Sequence, residues 1–276
     1  MRILRANHLG MCFGVRDAII LAQQSALTEP LTILGELVHN ESVLTMLRER
    51  GIESQDELAD VTNNTVMVTA HGASQKALRR IRETGLKVLE ATCPLVRVAH
   101  DALSNLVRAG YHPVIIGLKG HVEVRGMTED LDDFDIVLSE EEATSLREWP
   151  RIGIVAQTTQ PIAKVRHLVQ LIRSRFPRSE VKFNDTVCQP TKQRQSAAVE
   201  LAKESDVVLV IGGNHSNNTR ELISTCRLFC SRVFHVQDAS QLCREWFIDA
   251  ETVGITAGTS TPDIVIDAIE DWLVRL

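Results

Sequence analysis

One pattern of strand, cysteine, helix, strand and histidine occurs three times along the chain, and this repeat constrains the fold more than any other feature. Cys12, Cys93 and Cys188 each follow a strand-like run and precede an amphipathic helical run. A β-branched strand then leads into a polar loop that carries one histidine in each repeat. These loop histidines are His39, His121 and His215, at spacings of 27, 28 and 27 residues from the cysteines. The repeat predicts three similar structural units.

The second half of each unit repeats as well. A short strand and an acidic helix lead to a further strand with a polar end, in "VMVTAHGAS", "IGIVAQTTQ" and "VGITAGTSTPD". Successive cysteines are 81 and 95 residues apart, which is too long a period for a solenoid. The pattern fits three small α/β units with mainly parallel sheets, which we expect at residues 1–93, 94–187 and 188–276. Because no Gly/Ser/Pro linker separates them, we expect the units to pack around a shared centre.

The polar loops lie where ligands bind in open α/β sheets, outside the carboxyl ends of the strands and next to helix N-termini. Three similar units around a pseudo-threefold axis would bring the three repeated cysteines together, with the loop side chains around them. This explains the stretch "GLKGHVEVRG", which presents His121 and Glu123 between glycines directly after a strand. We expect both side chains to face a common central cavity.

Composition excludes several classes of protein. With 44% hydrophobic and 24% charged residues, the 276-residue chain is typical of a globular protein. A net charge of −6 argues against nucleic acid or an anionic membrane as its main partner. No apolar run reaches the roughly 18–20 residues of a membrane span, and "MRILRANHLG" indicates a strand rather than a signal peptide. We therefore expect a cytoplasmic protein with reduced cysteines.

The three repeated cysteines differ from the other three. Cys226, Cys230 and Cys243 have no counterparts in the other repeats and are interpreted as small buried hydrophobic residues. The repeated cysteines precede helix starts, where the helix dipole and free N–H groups favour thiolate. Three convergent thiolates imply a metal. Structural zinc normally takes four protein ligands, and a [4Fe–4S] cluster usually has four cysteines. With three, one iron would be open to a substrate oxygen.

Two glycine-hydroxyl-amide loops, "GGNHSNNTREL" and "TAGTSTPDIV", offer N–H and hydroxyl groups to an anion. Neither matches a Walker loop or a dinucleotide fingerprint. The alternative is that Asn218 and Ser260 are simple helix caps. Together with "HN" at 39–40 and "AHGAS" at 70–74, the loops favour a phosphate pocket. The remaining histidines are interpreted as incidental residues in strands or helices, away from these loops: His8, His100, His112, His167 and His235.

Glu123 is the one carboxylate beside a loop histidine in the central unit. A desolvated site would raise its pKa, and the side chain would then deliver protons. The alternative is a solvated loop acid. The proximity of His121 and the position in the repeat favour the first interpretation.

Nine short motifs occur along the chain in the order typical of one enzyme family. They are "GMCFGVRDAI", "VHN", "AHGAS", "ATCPLV", "GHVEV", "AQTT", C-x-x-T-x-x-RQ from Cys188, "SNNT" and "TAGTSTPD". In these motifs the chain resembles the LytB family of 4-hydroxy-3-methylbut-2-enyl diphosphate reductases. The resemblance spans nearly the whole chain. It implies a trefoil of three α/β domains around a central [4Fe–4S] cluster. It further implies loss of the allylic hydroxyl of (E)-4-hydroxy-3-methylbut-2-enyl diphosphate, which gives isopentenyl and dimethylallyl diphosphate in the last step of the non-mevalonate isoprenoid pathway. A ferredoxin- or flavodoxin-like protein would donate the electrons.

The resemblance also implies roles for individual residues. The cluster ligands would be Cys12, Cys93 and Cys188, which leave one iron open. The proton donor would be Glu123, with Thr158 and His121 as further catalytic residues. Substrate binding would involve His39, His71, His121, Thr158, Ser216, Asn217, Asn218 and Ser260.

Two positions depart from the family pattern. Asn217 stands where a second serine is common, and Val122 stands where proline is usual. Asn217 still donates hydrogen bonds, but it is bulkier and would crowd the phosphate. The alternatives are a paralogous [4Fe–4S] reductase or dehydratase of another hydroxylated or phosphorylated compound, and a non-catalytic iron–sulfur sensor. A phosphate-binding α/β protein with structural cysteines is a further alternative.

Overall fold

A computed structural model describes all 276 residues of the chain. Its strands are β1 (Arg2–Arg5), β2 (Leu31–Leu34), β3 (Glu53–Gln55), β4 (Thr65–Val68), β5 (Lys87–Glu90), β6 (His112–Ile116), β7 (Asp135–Val137), β8 (Arg151–Ala156), β9 (Glu180–Phe183), β10 (Val207–Ile211), β11 (Val233–Val236) and β12 (Thr252–Ala257). Its helices are α1 (Phe13–Ala26), α2 (Glu41–Glu49), α3 (Gln75–Glu83), α4 (Pro94–Arg108), α5 (Val122–Thr128), α6 (Glu140–Thr144), α7 (Ile162–Arg175), α8 (Gln189–Lys203), α9 (Asn217–Arg227) and α10 (Asp263–Val274). None of these helices has the length and apolar character needed to cross a bilayer.

The strands form three sheets of four strands each, and every pairing is parallel. The first sheet has the order β3-β2-β4-β5, and the second has β7-β6-β8-β9. The third has β11-β10-β12-β1. The same order recurs in each sheet, so the α/β class and the threefold repeat predicted from the sequence are confirmed. The acidic helix expected in each repeat is α6 in the second, but it is one 3-10 turn in the first and two 3-10 turns in the third.

The N-terminal strand belongs to a different sheet from the one the sequence predicts. We expected residues 1–93 to form the first unit, but β1 pairs with β12, and Arg2 is in register with Thr252. Strand β1 therefore occupies the edge that β5 and β9 occupy in the other sheets. Pairing partners far apart in sequence leave no local signal, because a strand pattern specifies a half-buried surface and not its neighbour.

The chain folds into two compact units. One comprises residues 1–16, 38–50 and 189–276 and contains the third sheet. The other comprises residues 17–37 and 51–188 and contains the first and second sheets. Apart from the position of β1, the expected boundaries at residues 93/94 and 187/188 stay a prediction.

Helices cover both faces of the second sheet, as parallel sheets require. Alternate residues of β6 point to opposite faces, so Val114 and Ile116 pack with Leu168 and Ile172 of α7. Ile115 packs on the other side with residues of α4 and α5. The third sheet is built the same way, with α8 and α9 on one face and α10 on the other. Because the central strands are buried, the polar loops at their carboxyl ends begin at fixed positions.

Candidate active site

The three repeated cysteines occupy equivalent places in the three sheets. Each follows an edge strand, namely β1, β5 or β9, and stands immediately before a helix. The Cys12 N–H donates to the carbonyl of Thr259 at 3.0 Å, which follows the neighbouring strand β12. The Cys93 N–H donates to Ala70 at 3.1 Å, after β4. The Cys188 N–H donates to Thr158 at 3.0 Å, after β8. One backbone geometry therefore presents a half-buried thiol from every sheet.

None of the six cysteines forms a disulfide. The structure contains no preassembled group of three His, Cys, Asp or Glu side chains around a single metal position. The meeting of the three sulfur atoms therefore stays a prediction. Among the other cysteines, Cys226 and Cys230 are buried as expected, and burial raises the pKa of Cys226 to about 12. Cys243 is half-exposed beside Glu245, so its interpretation as a buried residue is wrong.

Glu123 is buried, and the alternative of a solvated loop acid is wrong. It lies in the first turn of α5 with a relative exposure of 1%. One carboxylate oxygen, Oε1, accepts the Thr158 N–H at 2.6 Å, and Oε2 accepts the Thr158 hydroxyl at 2.9 Å. Residues predicted from two separate loops, "GHVEV" and "AQTT", are thus brought into direct contact.

Burial raises the pKa of Glu123 to about 7, although the Thr158 N–H and hydroxyl act in the opposite direction. Desolvation dominates because a carboxylate without water is costly, and two hydrogen bonds offset only part of that cost. The side chain therefore holds a proton near neutral pH, as a general acid requires. When the carboxyl group is protonated, the Thr158 hydroxyl can accept from Oε2 instead of donating to it.

Replacing Thr158 by valine is expected to move the ionisation of Glu123 to higher pH. The hydroxyl bond stabilises the carboxylate, so its loss raises the pKa of Glu123 further. We expect about a tenfold fall in kcat and an alkaline limb displaced upward in the pH profile of kcat/KM. The profile measured from pH 6 to 9 checks this. If activity falls but the alkaline limb of the pH profile stays at the same pH, Thr158 contributes to turnover without changing the pKa of Glu123.

His121 and His71 lie side by side in the same compact unit. Their ring centroids are 5.8 Å apart, with the planes at 82°. His121 is the N-cap of α5, and its Nδ1 accepts the Glu123 N–H at 3.1 Å. His71, His121, Glu123 and Thr158 therefore form one polar cluster.

The second cluster of predicted site residues lies in the other compact unit. Ser216 caps α9 by accepting the Thr219 N–H, and Asn217 and Asn218 form its first turn. The Ser260 hydroxyl lies 3.4 Å from the carbonyl oxygen of His39. Asn218 and Ser260 are therefore not simple caps, since the caps of α9 and α10 are Ser216 and Pro262.

Close backbone approaches shape this second cluster. A Cβ on Gly213 would lie 2.3 Å from the carbonyl oxygen of His39, so only glycine lets the two loops meet. Asn218 uses its Oδ1 to accept the Thr259 N–H at 3.0 Å, while its Nδ2 is buried without a hydrogen-bond partner. A buried donor without a partner is rare in a folded protein and suits an anion acceptor here. The arrangement can bind a phosphate through neutral donors.

Sequence reasoning overlooked Arg194. Its guanidinium group is buried, and Nε and Nη2 donate to the Gly10 carbonyl at 3.0 and 2.7 Å. The arginine thereby fixes the turn that leads into Cys12. Its place in the C-x-x-T-x-x-RQ motif was the available signal.

Two histidines interpreted as remote from the site loops are adjacent to them. The Nε2 of His100 lies 3.5 Å from the position of a Cβ on Gly72, in the "AHGAS" loop. The Nε2 of His235 lies 2.7 Å from the Gly212 carbonyl, at the start of the "GGNHSNN" loop. By contrast, His112 and His167 pair with Asp135 and Glu140.

Comparison with known proteins agrees with these features. The family model described as LytB protein matches residues 3–274. A 4-hydroxy-3-methylbut-2-enyl diphosphate reductase of Syntrophotalea carbinolica is 37% identical over 98% of this chain and 97% of its own length. The corresponding enzyme of Geobacter metallireducens is 36% identical over 98% of this chain and 95% of its own length.

Solved structures show the same fold. An E-1-hydroxy-2-methyl-but-2-enyl-4-diphosphate reductase from Plasmodium falciparum matches with a TM-score of 0.92 at 24% identity, over 100% of this chain and 87% of that one. An (E)-4-hydroxy-3-methyl-but-2-enyl diphosphate reductase, described as the terminal enzyme of the non-mevalonate pathway, matches with a TM-score of 0.69 at 33% identity, over 100% of both chains. With the family model and these relatives spanning nearly its whole length, the chain belongs to the LytB family of 4-hydroxy-3-methylbut-2-enyl diphosphate reductases.

Proposed function

We propose that this chain reduces (E)-4-hydroxy-3-methylbut-2-enyl diphosphate to isopentenyl and dimethylallyl diphosphate. The reaction breaks the allylic C–O bond, consumes two electrons and two protons, and releases the hydroxyl group as water. The observation that carries the proposal is the buried carboxyl group of Glu123, which is hydrogen-bonded to Thr158 and can donate a proton at neutral pH. It occurs in a chain of the LytB family.

The LytB family consists of iron–sulfur enzymes, and the donor set of this chain fits such a group. Cys12, Cys93 and Cys188 would hold a [4Fe–4S] cluster through three thiolates. Support comes from their equivalent, half-buried positions before helix N-termini, where N–H groups and the helix dipole favour the thiolate form. When bound, the cluster would supply electrons singly and a Lewis-acidic iron without a cysteine ligand.

Hydroxyl, amide and histidine donors would hold the diphosphate. In one compact unit these are Ser216, Asn217, Asn218 and Ser260, together with His39. The partnerless Nδ2 of Asn218 supports this role. His71 and His121 would contribute ring nitrogens to substrate binding. Since none of these side chains except histidine can carry charge, binding relies on oriented hydrogen bonds to the anion.

Glu123 would protonate the departing hydroxyl, which lowers the cost of breaking the C–O bond. Thr158 would orient the carboxyl through its N–H and relay the proton through its hydroxyl, because both groups already contact Glu123. His121 would position Glu123 through the bond from the Glu123 N–H. The second proton would enter at either end of the allyl group, with the bound diphosphate as its source, which accounts for two products.

The electron donor would be a ferredoxin- or flavodoxin-like protein. We also propose a cytoplasmic location, in which the thiols stay reduced until they take up iron.

An anaerobic assay with dithionite and a mediator dye tests the proposal. Purified, iron-reconstituted protein is expected to convert the allylic hydroxy diphosphate into both products, identified by mass spectrometry. A protein with a full cluster that leaves this substrate intact, under an electron donor that reduces the cluster, would reassign the chain to another hydroxylated or phosphorylated substrate. A colourless protein without iron would contradict the cluster.

A further inference from the structure

The two ends of α5 perform different tasks. Its N-terminal end carries His121 and Glu123 of the polar cluster. At its C-terminal end, Glu129 and Asp130 contact the start of α3. Helix α3 connects β4 and β5 of the first sheet and lies in the same compact unit as α5. Because α5 has seven residues, only about 10 Å of helix separates these ends. A contact at one end therefore fixes the position of the other.

Asp130 caps α3 with both carboxylate oxygens. Oδ2 accepts the Gln75 N–H at 2.7 Å, and Oδ1 accepts the Lys76 N–H at 2.8 Å. Helix starts leave such N–H groups without partners inside the helix, and a carboxylate there also interacts favourably with the helix dipole. Ser74 caps α3 from within its own chain segment, and of the free N–H groups of the helix it accepts only that of Ala77. The carboxylate from α5 therefore completes the cap.

Glu129 adds a second connection. Its Oε2 accepts the hydroxyl of Ser74 at 2.5 Å, and its Oε1 pairs with Arg80. Ser74 has a relative exposure of 1% and Glu129 is half-buried, so this contact is partly shielded from water, whereas Arg80 is largely exposed. An exposed ion pair contributes little to stability, so the Ser74 bond is the more important of the two.

The loop between β4 and α3 is thereby held on α5. This loop carries His71, three residues before Ser74. A Cβ on Gly126 of α5 would lie 3.5 Å from the Ala73 Cα and from the Gly72 carbonyl oxygen, so helix and loop are in contact. On the other side, a Cβ on Gly72 would lie 3.0 Å from Thr92 and 3.5 Å from the Nε2 of His100. The loop has little room to move while its far end stays capped.

We propose that Asp130, assisted by Glu129, is a positioning residue that holds His71 against His121 and Glu123. The inference rests on the proposed function, because it assigns His71 to the substrate. Neither carboxylate touches the polar cluster. They act through α3 and its preceding loop, which keep the two histidine rings at 5.8 Å. Without this cap the loop would sample other positions, and substrate binding would include the cost of ordering it.

The test compares three variants of the cluster-loaded protein. We expect Asp130→Ala to raise KM about tenfold while kcat stays within about threefold, because His71 would contribute binding that is uniform between ground and transition state. Asp130→Asn keeps one acceptor oxygen and is expected to raise KM only about twofold. Glu142→Ala is the matched control, since that carboxylate accepts the Leu138 and Ser139 N–H groups at the start of α6, away from the polar cluster.

Hydrogen exchange of residues 70–77, measured by mass spectrometry, supplies a readout independent of turnover. We expect faster exchange in Asp130→Ala, with wild-type exchange in Glu142→Ala. A raised KM without faster exchange, faster exchange with a wild-type KM, or an equal KM rise in the Glu142 control would each overturn the proposal. If the wild-type protein does not act on the allylic diphosphate, the proposed function fails, while unchanged exchange in Asp130→Ala would still refute the cap on its own.

Discussion

Glu123→Gln is expected to lower kcat by about 10²–10⁴-fold without changing the iron content of the protein. Glutamine fills the same space, and its amide can accept the Thr158 N–H and donate to the Thr158 hydroxyl, but it has no proton to deliver. Wild-type activity should fall as the pH rises through about 7, where Glu123 loses its proton, and the variant should lack this limb. Turnover measured from pH 6 to 9 checks both expectations.

The same substitution has a consequence for stability. The folded-state pKa of Glu123 is about 7 against an ordinary 4.5, so the native state binds this proton more tightly than the unfolded chain does. The resulting stabilisation is present below pH 4.5 and is lost as the pH rises to about 7, a change of about 3 kcal/mol. Glu123→Gln should therefore melt at a higher temperature than wild type at pH 8, and the difference should shrink as the pH falls and disappear only near pH 4.5.

Glu142→Gln serves as the control for these measurements, because Glu142 is an exposed carboxylate on α6 in the same compact unit. It should leave turnover unchanged. Loss of iron in Glu123→Gln, or an alkaline limb that persists in it, would show that Glu123 is not the proton donor.

Cys188→Ala is expected to abolish both iron retention and reduction of the allylic diphosphate. Two remaining thiolates would leave two irons of a [4Fe–4S] cluster without a cysteine ligand, and the cluster depends on these bonds. Iron and sulfide analysis, the visible absorption and the electron paramagnetic resonance of the reduced protein report the loss. Cys12→Ala and Cys93→Ala should behave alike, since the three cysteines occupy equivalent positions.

Cys243→Ala is the matched control. Cys243 is also half-exposed, but it lies beside Glu245 and precedes no α-helix. It should keep its iron and its activity. A Cys188→Ala protein with the full iron content of the wild type would remove this cysteine from the ligand set.

Local patterns in the sequence determined much of the fold. The β-branched runs before "AHGAS", "AQTTQ" and "AGTSTPD" form β4, β8 and β12, because short apolar runs bounded by polar turns suit buried parallel strands. The position of β1 could not be predicted in this way. Its pairing with β12 depends on residues 250 positions away, from Arg2 to Thr252.

The candidate site was predictable in residue types but only partly in environment. Val122, Glu123 and Val124 alternate between apolar and charged side chains, which is typical of a strand, and Gly126 disfavours a helix. These residues nevertheless belong to α5. The burial of Glu123 was favoured by its position in the repeat and its proximity to His121, whereas the helix that carries it was not predicted. His100 was missed because its helical pattern gives no indication that the "AHGAS" loop lies against it. In the sequence, Glu129 and Asp130 do not differ from other acidic surface residues. Only their contacts with the start of α3 distinguish them.

The origin of the outer strand of the third sheet dictates when that sheet can be completed during synthesis. The partner of β1 emerges from the ribosome only after residue 257 has been translated, whereas the first two sheets use contiguous stretches of nascent chain. Cys12, directly downstream of β1, thus stays unanchored while Cys93 and Cys188 are already held by folded neighbours. Any cofactor that requires all three thiols could then be taken up only after β12 has been made, and amino-terminal fusions that tether β1 elsewhere would delay its uptake.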